Sequence, residues 1–381
     1  MTLIIGIAYI VVLLSALFVI VRWRKVVCDG PEPVGIFTLV ALLFTAGLDM
    51  GLVMLPLTEF PIYAKEPVYH FTNPLAVEFG MWGPLVWLMY FLATFYFVKI
   101  EPRLKVFEIP AVKWVYNLTV IATCAFTCYL FMTNLPSYAP EIPKWGIWVL
   151  AAGVIAFSVV SSGNFGIMKW LAIVSTYGFG VLAFTALFVV AFGYSGAGFS
   201  QFLGNIELIS DYFANLHRFT VPISDYHEFY LFWWFSWSIM IGQFVARFVG
   251  GLQTWKLAFA MVVLPTTPLG LWFCVLYVYH SNAIVTPVWL NWMMISVGIV
   301  FVVNSLDSLI RLYATNLGWT REDVSDRVYY PLHFLLQFAL VCAYFFTPFE
   351  IQWVGLVVVG LYAVVYWMIV TRMKSVREAI A

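Results

Sequence analysis

Charge is what this sequence has least of. Only 10% of its 381 residues are Asp, Glu, Lys or Arg, where soluble domains carry about 25%. The 19 basic and 19 acidic residues cancel to zero, which gives no electrostatic support to a nucleic-acid partner. Cysteine is scarce as well. Cys28, Cys124, Cys128, Cys274 and Cys342 mostly fall inside apolar runs without metal-ligand spacing. Cys124 and Cys128 lie four apart on one helical face, but a metal would need two further ligands that the sequence does not supply, so they read as packing residues. The first apolar run, Thr2 to Val21, lacks a basic leader and a clear small-residue cleavage site, and reads as a retained helix and not a signal peptide. The short alternating segments of a membrane barrel are missing too.

What is present is hydrophobicity, 63% of residues with a mean hydropathy of +0.94. This is an all-α integral membrane protein, because every backbone polar group in lipid needs an internal partner. At about 20 residues per span, eleven helices are predicted near 2–22, 35–58, 81–99, 112–133, 146–163, 168–194, 228–249, 256–279, 288–312, 331–347 and 351–371. With the N-terminus outside, 16 of the 19 basic residues fall in cytoplasmic segments, and only Lys65, Lys144 and Arg218 lie outside. The positive-inside rule therefore predicts N-out and C-in.

Only one outside connection is long and charged enough to fold by itself, Ser195 to Ser224. It places Ile206, Ile209, Phe213 and Leu216 at helical spacing, with Glu207, Ser210, Asp211 and Asn215 between them, the pattern of a helix lying in the interface plane. The predicted organisation is an extra helix and loop (1–34), a five-helix unit (35–194), this connector (195–225), a second five-helix unit (226–372) and a short tail (373–381). Five plus five is the parity that inverts one repeat relative to the other, a common transporter plan.

Three stretches carry candidate chemistry. In the second helix, Thr45-Ala46-Gly47-Leu48-Asp49-Met50-Gly51 sits mid-span. Each glycine costs a helix about 1 kcal/mol, and an Asp at bilayer centre roughly 2.5–3.5 kcal/mol on insertion scales. Close packing through the glycines leaves Asp49 unexplained; a helix unwound at the midplane explains both. The third helix holds Trp82, Trp87 and Tyr90, with Gly83-Pro84 able to bend Trp82 into line. The seventh, from Tyr226 to Gln253, packs Trp233, Trp234 and Trp237 beside Ser236 and Ser238. An interfacial aromatic belt is the plain reading of such a cluster. The second cluster in the third helix favours rings that hold a quaternary ammonium, which cannot donate a strong hydrogen bond and is attracted to aromatic faces.

Trp233-Trp234-Phe235-Ser236-Trp237-Ser238, followed by Gly242, Phe244, Ala246 and Arg247, resembles the signature helix of the betaine/choline/carnitine transporter family. Trp82, Trp87 and Tyr90 keep the spacing of that family's aromatic box, Phe44 to Gly51 resembles its glycine-rich run, and Asn304-Ser305-Leu306-Asp307-Ser308 resembles its T-S-x-D-S motif. The resemblance implies a LeuT-like five-plus-five inverted repeat and secondary transport of trimethylammonium compounds. It implies an ammonium box of Trp82, Trp87, Tyr90 and Trp234 beside Trp233, with Trp237 on the substrate's path. It implies one sodium site at Thr123 and Thr127 and another at Ser305, beside Asn304, with backbone near Ala46 and Leu48. The threonines also admit a plainer reading, hydroxyls bonded back to the preceding turn. A homotrimer in the plasma membrane, the inner membrane in a bacterium, is implied on the same ground.

Departures from the family pattern qualify these expectations. The chain begins at what looks like the family's second helix, and it stops at Ala381 without the long basic tail of osmosensing members, which argues against regulation through such a tail. The loop Arg247-Phe248-Val249-Gly250-Gly251-Leu252-Gln253 lacks the usual further arginines, which puts gating by them in doubt, and Asn304 replaces a common threonine. Either Glu59 or Glu66-Pro67 aligns with the family's E-P pair. Asp49 stands where glycine is usual: it favours a cationic substrate such as choline over betaine or carnitine, and is a candidate proton carrier or sodium ligand. Asp307 is expected to pair within the bundle, His70, His217, His227 and His280 to lie near the outer surface, and His333 to sit at an interface. The expectation is an ion-coupled transporter, driven by sodium or protons, and not an enzyme, since no cluster of acids or histidines marks a membrane face. Exchange without ion coupling and a non-transporting substrate sensor are the alternatives.

Overall fold

The computed structural model describes residues 1–48, 50–193 and 198–380. Asp49 and part of the predicted connector lie outside them. Helix α1 (Thr2–Arg22) precedes two sets of five spans. The first set comprises the pair α2 (Ile36–Gly47) and α3 (Gly51–Lys65), then α4 (Pro74–Trp82) and α5 (Pro84–Phe95), continued by a π turn and the short α6 (Glu101–Leu104), then α7 (Pro110–Asn134), α8 (Lys144–Ser162) and α9 (Phe165–Gly193). Two short helices, α10 (Phe199–Leu208) and α11 (Ser210–Ala214), and a 3-10 turn form the connector. The second set comprises α12 (Asp225–Ala246), α13 (Thr254–Ser281), α14 (Val288–Leu317), α16 (Asp326–Phe346) and α17 (Ile351–Thr371), with α15 (Arg321–Val324) before α16 and α18 (Met373–Ile380) at the end. Among the described residues ten segments, α4 to α6 counted as one, are long and apolar enough to span a bilayer, or eleven when α2 and α3, bent by 50°, count as one span.

The packing carries the repeat. Helix α12 lies against α5 as α2 lies against α13; α14 meets α8 and α9 as α7 meets α16 and α17; α2 packs on α9 as α12 packs on α17. Each of these relations pairs a numbered span of one set with the same-numbered partner in the other. The pairs α7 with α14 and α5 with α13 map onto themselves. That is the contact pattern of a pseudo-twofold axis, and an odd number of spans per repeat makes the two copies inverted.

Breaks and prolines leave backbone carbonyls that other elements satisfy. Pro56 withholds the amide that Leu52 would accept from, and the Trp272 indole donates to that carbonyl at 3.0 Å. Between α1 and α2, the strand β1 (Val27–Cys28) pairs antiparallel with β2 (Leu252–Gln253), which follows α12. Gly30 N and Glu32 N each donate at 2.8 Å to Val249 O and Arg247 O, and Arg247 pairs with Glu32 at 2.5 Å. The loop expected to lack arginine gating is thus latched to the α1–α2 segment by backbone. Burial there pushes the Cys28 thiol up to about 11, so it is not a thiolate nucleophile at neutral pH.

The connector is helical as its spacing predicts, but in three pieces rather than one amphipathic helix. Its inward contacts are Phe202, Tyr212 and Phe219 with Asn205, whose amide donates to Cys274 O at 3.0 Å, while Ile206 and Phe213 are exposed. Asn73 anchors it. Its Oδ1 caps α4 by accepting from Ala76 N at 2.9 Å, and its Nδ2 donates to Leu208 O at 3.1 Å and to Asp211 Oδ2 at 2.8 Å. Asn73→Ala should lose about 1 kcal/mol from the cap alone plus the connector ties. Asn73→Asp should keep the cap but set a second carboxylate against Asp211. Thermal unfolding in detergent, followed by intrinsic fluorescence, should place both variants below the wild type.

Candidate functional site

The third predicted span is broken, and the break builds the aromatic site. Helix α4 ends at Trp82, Gly83 is extended, and Pro84 starts α5. The last carbonyls of α4 therefore lack helical partners. Trp234 Nε1 donates to Met81 O at 2.7 Å, and Trp87 Nε1 donates to Trp82 O at 3.0 Å. Two indole N–H groups are consumed by scaffolding, which fixes the rings and leaves their π faces free of any polar duty. Tyr90 is held similarly, its hydroxyl 3.3 Å from Gly47 O at the end of α2.

The predicted rings come together as two groups. Trp233 and Trp234 stack at 4.7 Å, and Trp82 meets them edge-on at 5.5 and 4.9 Å. Trp87 and Tyr90 pair at 5.5 Å against the end of α2. All five, and Trp237, are buried, so the belt reading does not hold for them. A cation held by two rings needs its own volume between them, within about 6 Å of each centroid. Trp82 and Trp234 meet edge-on at 73° with their centroids 4.9 Å apart, so the space open to such a cation is the corner that the two rings make. The serines of the signature turn away from it. Ser236 bonds back to Trp233 O at 2.6 Å, and Ser238 bonds to Phe235 O at 2.9 Å while accepting from Tyr362 at 2.8 Å. A cavity of about 630 Å³ between α1, α5 and α17 contains none of these rings.

The predicted ion ligands fall into two places. Ser305 Oγ on α14 lies 3.5 Å from Thr45 O and 3.4 Å from Leu48 O, at the α2–α3 break beside buried Ala46. Asn304 points elsewhere: its Nδ2 donates to Ser175 Oγ on α9 at 2.8 Å, and its Oδ1 is buried without a partner. On α7, Thr119 and Thr133 bond back to their own helix at 2.7 and 2.9 Å. Thr123 and Thr127 do not, and their buried hydroxyls have no hydrogen-bond partner. The plainer reading of this pair therefore fails, and Phe126 between them touches Trp233 at 5.7 Å. Orphaned buried hydroxyls fit an ion or water there.

Of the remaining residues, Asp307 accepts from Ser161 at 2.5 Å and from Ser308 at 3.3 Å inside the bundle. His227 and His333 are both buried laterally within the bundle. His227 accepts from Ile223 N at 3.1 Å, and His333 bonds Tyr313 at 2.8 Å and Trp319 O at 3.2 Å. Their expected positions rest on distance to a predicted helix end, which says nothing about lateral packing.

Sequence reasoning passed over Glu78, buried on α4 opposite Glu59 of α3. The signal was there, an acid in the apolar run Pro74–Trp82, but a third span drawn from Met81 left it in a loop.

No protein-family model matches the chain. An uncharacterized transporter of Haemophilus influenzae is 27% identical over 306 residues, covering 69% of this chain and 44% of that protein. Glycine betaine transporter 1 of Vibrio parahaemolyticus is 25% identical over 284 residues, covering 62% and 52%. The chain thus spans about half the length of these curated relatives. A Na+-coupled sialic acid symporter, solved substrate-bound and outward-open, superposes with a TM-score of 0.50 at 13% identity, covering 94% of this chain and 82% of that one. That likeness is one of fold. Together the relatives support transport over membrane-enzyme chemistry.

Proposed function

We propose that the chain is a secondary transporter that takes up a quaternary ammonium compound of the choline, glycine betaine or carnitine type by alternating access, coupled to an ion gradient. It would lie N-out and C-in in the plasma membrane, the inner membrane in a bacterium. The observation that carries the reading is the use of the Trp87 and Trp234 N–H groups on the α4 break. Rings so fixed offer faces without hydrogen-bond donors, the surface a trimethylammonium group requires. Similarity to a glycine betaine transporter supports the same class.

The test is uptake of labelled glycine betaine and choline into proteoliposomes under separately imposed sodium and proton gradients. Uptake of at least one compound is expected. Sodium-driven uptake lost in Thr127→Ala or Ser305→Ala would assign the coupling ion to those hydroxyls. Uptake only into preloaded vesicles would replace ion coupling with exchange. Neither uptake nor binding of either compound would sink the substrate class.

A further inference from the structure

Outside the aromatic site, the most unusual chemistry in the bundle is a pair of buried acids. Glu59 and Glu78 are 1% and 0% exposed and lie side by side on α3 and α4, the helices that follow and precede the two breaks. Their environments differ sharply. Glu59 is caged by tyrosines: Tyr63 donates to Oε2 at 3.0 Å, Tyr230 donates to Oε1 at 2.6 Å, and Tyr226 donates to the same oxygen. Glu78 faces Glu59, Tyr63 and the Trp82 indole, yet neither of its oxygens has a directed hydrogen bond. The Trp82 N–H, itself fully buried, is also without an acceptor in hydrogen-bonding geometry.

Among the described residues no basic side chain forms an ion pair with either acid. The three ion pairs among the described residues, Lys105–Glu108, Arg247–Glu32 and Arg321–Asp326, lie elsewhere. The other titratable groups around it are Tyr69 in the turn after α3 and Tyr138 after α7. His280 on α13 lies tilted against Phe60, the residue after Glu59, at 5.4 Å, and His227 on α12 is bonded to Ile223 N. Two adjacent carboxylates cannot both stay ionised in so dry a place, so the pair must hold a positive charge. A sodium ion would need several oxygens with free lone pairs. Here three tyrosine hydroxyls already donate to Glu59, which leaves the two Glu78 oxygens as the unengaged pair. A proton needs only what is present: a carboxylate stabilised by three hydroxyls and a neighbouring carboxyl to donate to it.

We infer that Glu59 and Glu78 share one exchangeable proton, and that this pair is a proton-coupling site acting on the aromatic cluster through Trp82. The route is short. Trp82 faces Glu78 on one side and packs against Trp233 and Trp234 on the other, and Tyr230 joins Glu59 to the Trp82 ring at 5.8 Å. When the site opens to water and the proton passes to that water, Glu78 becomes a hydrated carboxylate that can accept from the Trp82 N–H. Trp82 is one of the rings of the proposed ammonium site, so a change at its N–H is felt there. The inference rests on the transporter reading for its coupling role, but the proton itself can be detected without any substrate.

The experiment is infrared difference spectroscopy on the purified full-length chain, titrated with pH in H2O and D2O, for wild type, Glu78→Gln and Glu59→Gln. The expected result is a deuterium-sensitive protonated-carboxyl band in the wild type that disappears in at least one of the two variants. A band that survives in both, or no band at any pH, overturns the shared proton. A band removed by adding sodium at constant pH overturns it in favour of a sodium site. If one glutamine variant does not fold, the other and the wild-type titration still decide. In proteoliposomes, Glu78→Gln should lose accumulation driven by a proton gradient while retaining binding and counterflow of the same labelled compound. Accumulation unchanged from wild type would overturn the coupling role even where the band is found. Absence of binding in the wild type would instead count against the substrate class.

Discussion

Gly242→Val should abolish the folded protein. A Cβ at Gly242 would stand 2.3 Å from Ala93 Cβ, 2.8 Å from Ala93 C and 2.9 Å from Thr94 N. These are atoms of the facing α5, two of them backbone, so no side chain can rotate out of the way. Helix α12 is pinned on its other flank as well, where a Cβ at Gly355 of α17 would fall 2.3 Å from Phe232 O. Small residues that let helix backbones touch are a main device of membrane packing. Overpacking an adaptable core costs about 1–3 kcal/mol, and a rigid backbone contact on both flanks should cost more. Size-exclusion profiles and thermal unfolding in detergent are the readout, with Gly180→Ala as control. Gly180 lies within α9, and a Cβ added there would meet nothing within 4 Å, so that change should be neutral or gain about 0.5–1 kcal/mol from helix propensity. A monodisperse Gly242→Val protein with wild-type unfolding would show that α12 and α5 do not approach as described.

Gly242 also shows where the sequence is legible. Long apolar runs impose helices in lipid, so the number of spans and the five-plus-five plan follow from hydropathy and parity. Gly47, Gly51 and Gly83-Pro84 announce the breaks, because glycine and proline lower helix stability wherever they stand. What the breaks do is less visible. Nothing in Trp87 or Trp234 says that its N–H will cap a carbonyl of α4, since that depends on which helices the fold brings alongside. The edge-on contact of Trp82 with Trp234 has the same origin: spacing gives the helical face of each ring but not the distance between helices. Glu78 escapes notice for a simpler reason. The stretch Pro74-Leu75-Ala76-Val77-Glu78-Phe79 starts a helix with proline at its first position after an Asn cap, a recognised start signal, and a span begun at Met81 overruns it. The orphaned hydroxyls of Thr123 and Thr127 lie beyond sequence altogether, because back-bonding and ligand-facing threonines share the same spacing on α7.

Trp234→Ala should abolish uptake, and the way it fails separates recognition from packing. Trp234 does three things: it donates to Met81 O at 2.7 Å, stacks on Trp233, and meets Trp82 edge-on at 4.9 Å. Alanine removes all three and leaves a cavity, which in a core costs about 3–5 kcal/mol; lost transport alone would therefore not identify a binding ring. Trp234→Phe retains an aromatic face but strands the Met81 carbonyl, at about 1–3 kcal/mol, so it should fold less stably and bind more weakly. The decisive series keeps both shape and N–H and changes only the ring electrons. Successive fluorination of Trp234 depletes the negative face that attracts a cation. If that face holds the ammonium, betaine or choline affinity should fall stepwise with each fluorine, within the total of about 0.5–2 kcal/mol that one desolvated ring contributes. A packing residue would show no such trend, because volume and hydrogen bonding barely change along the series. A flat series with intact binding would move the ammonium to Trp87 and Tyr90, the pair that Gly47 brings against the end of α2.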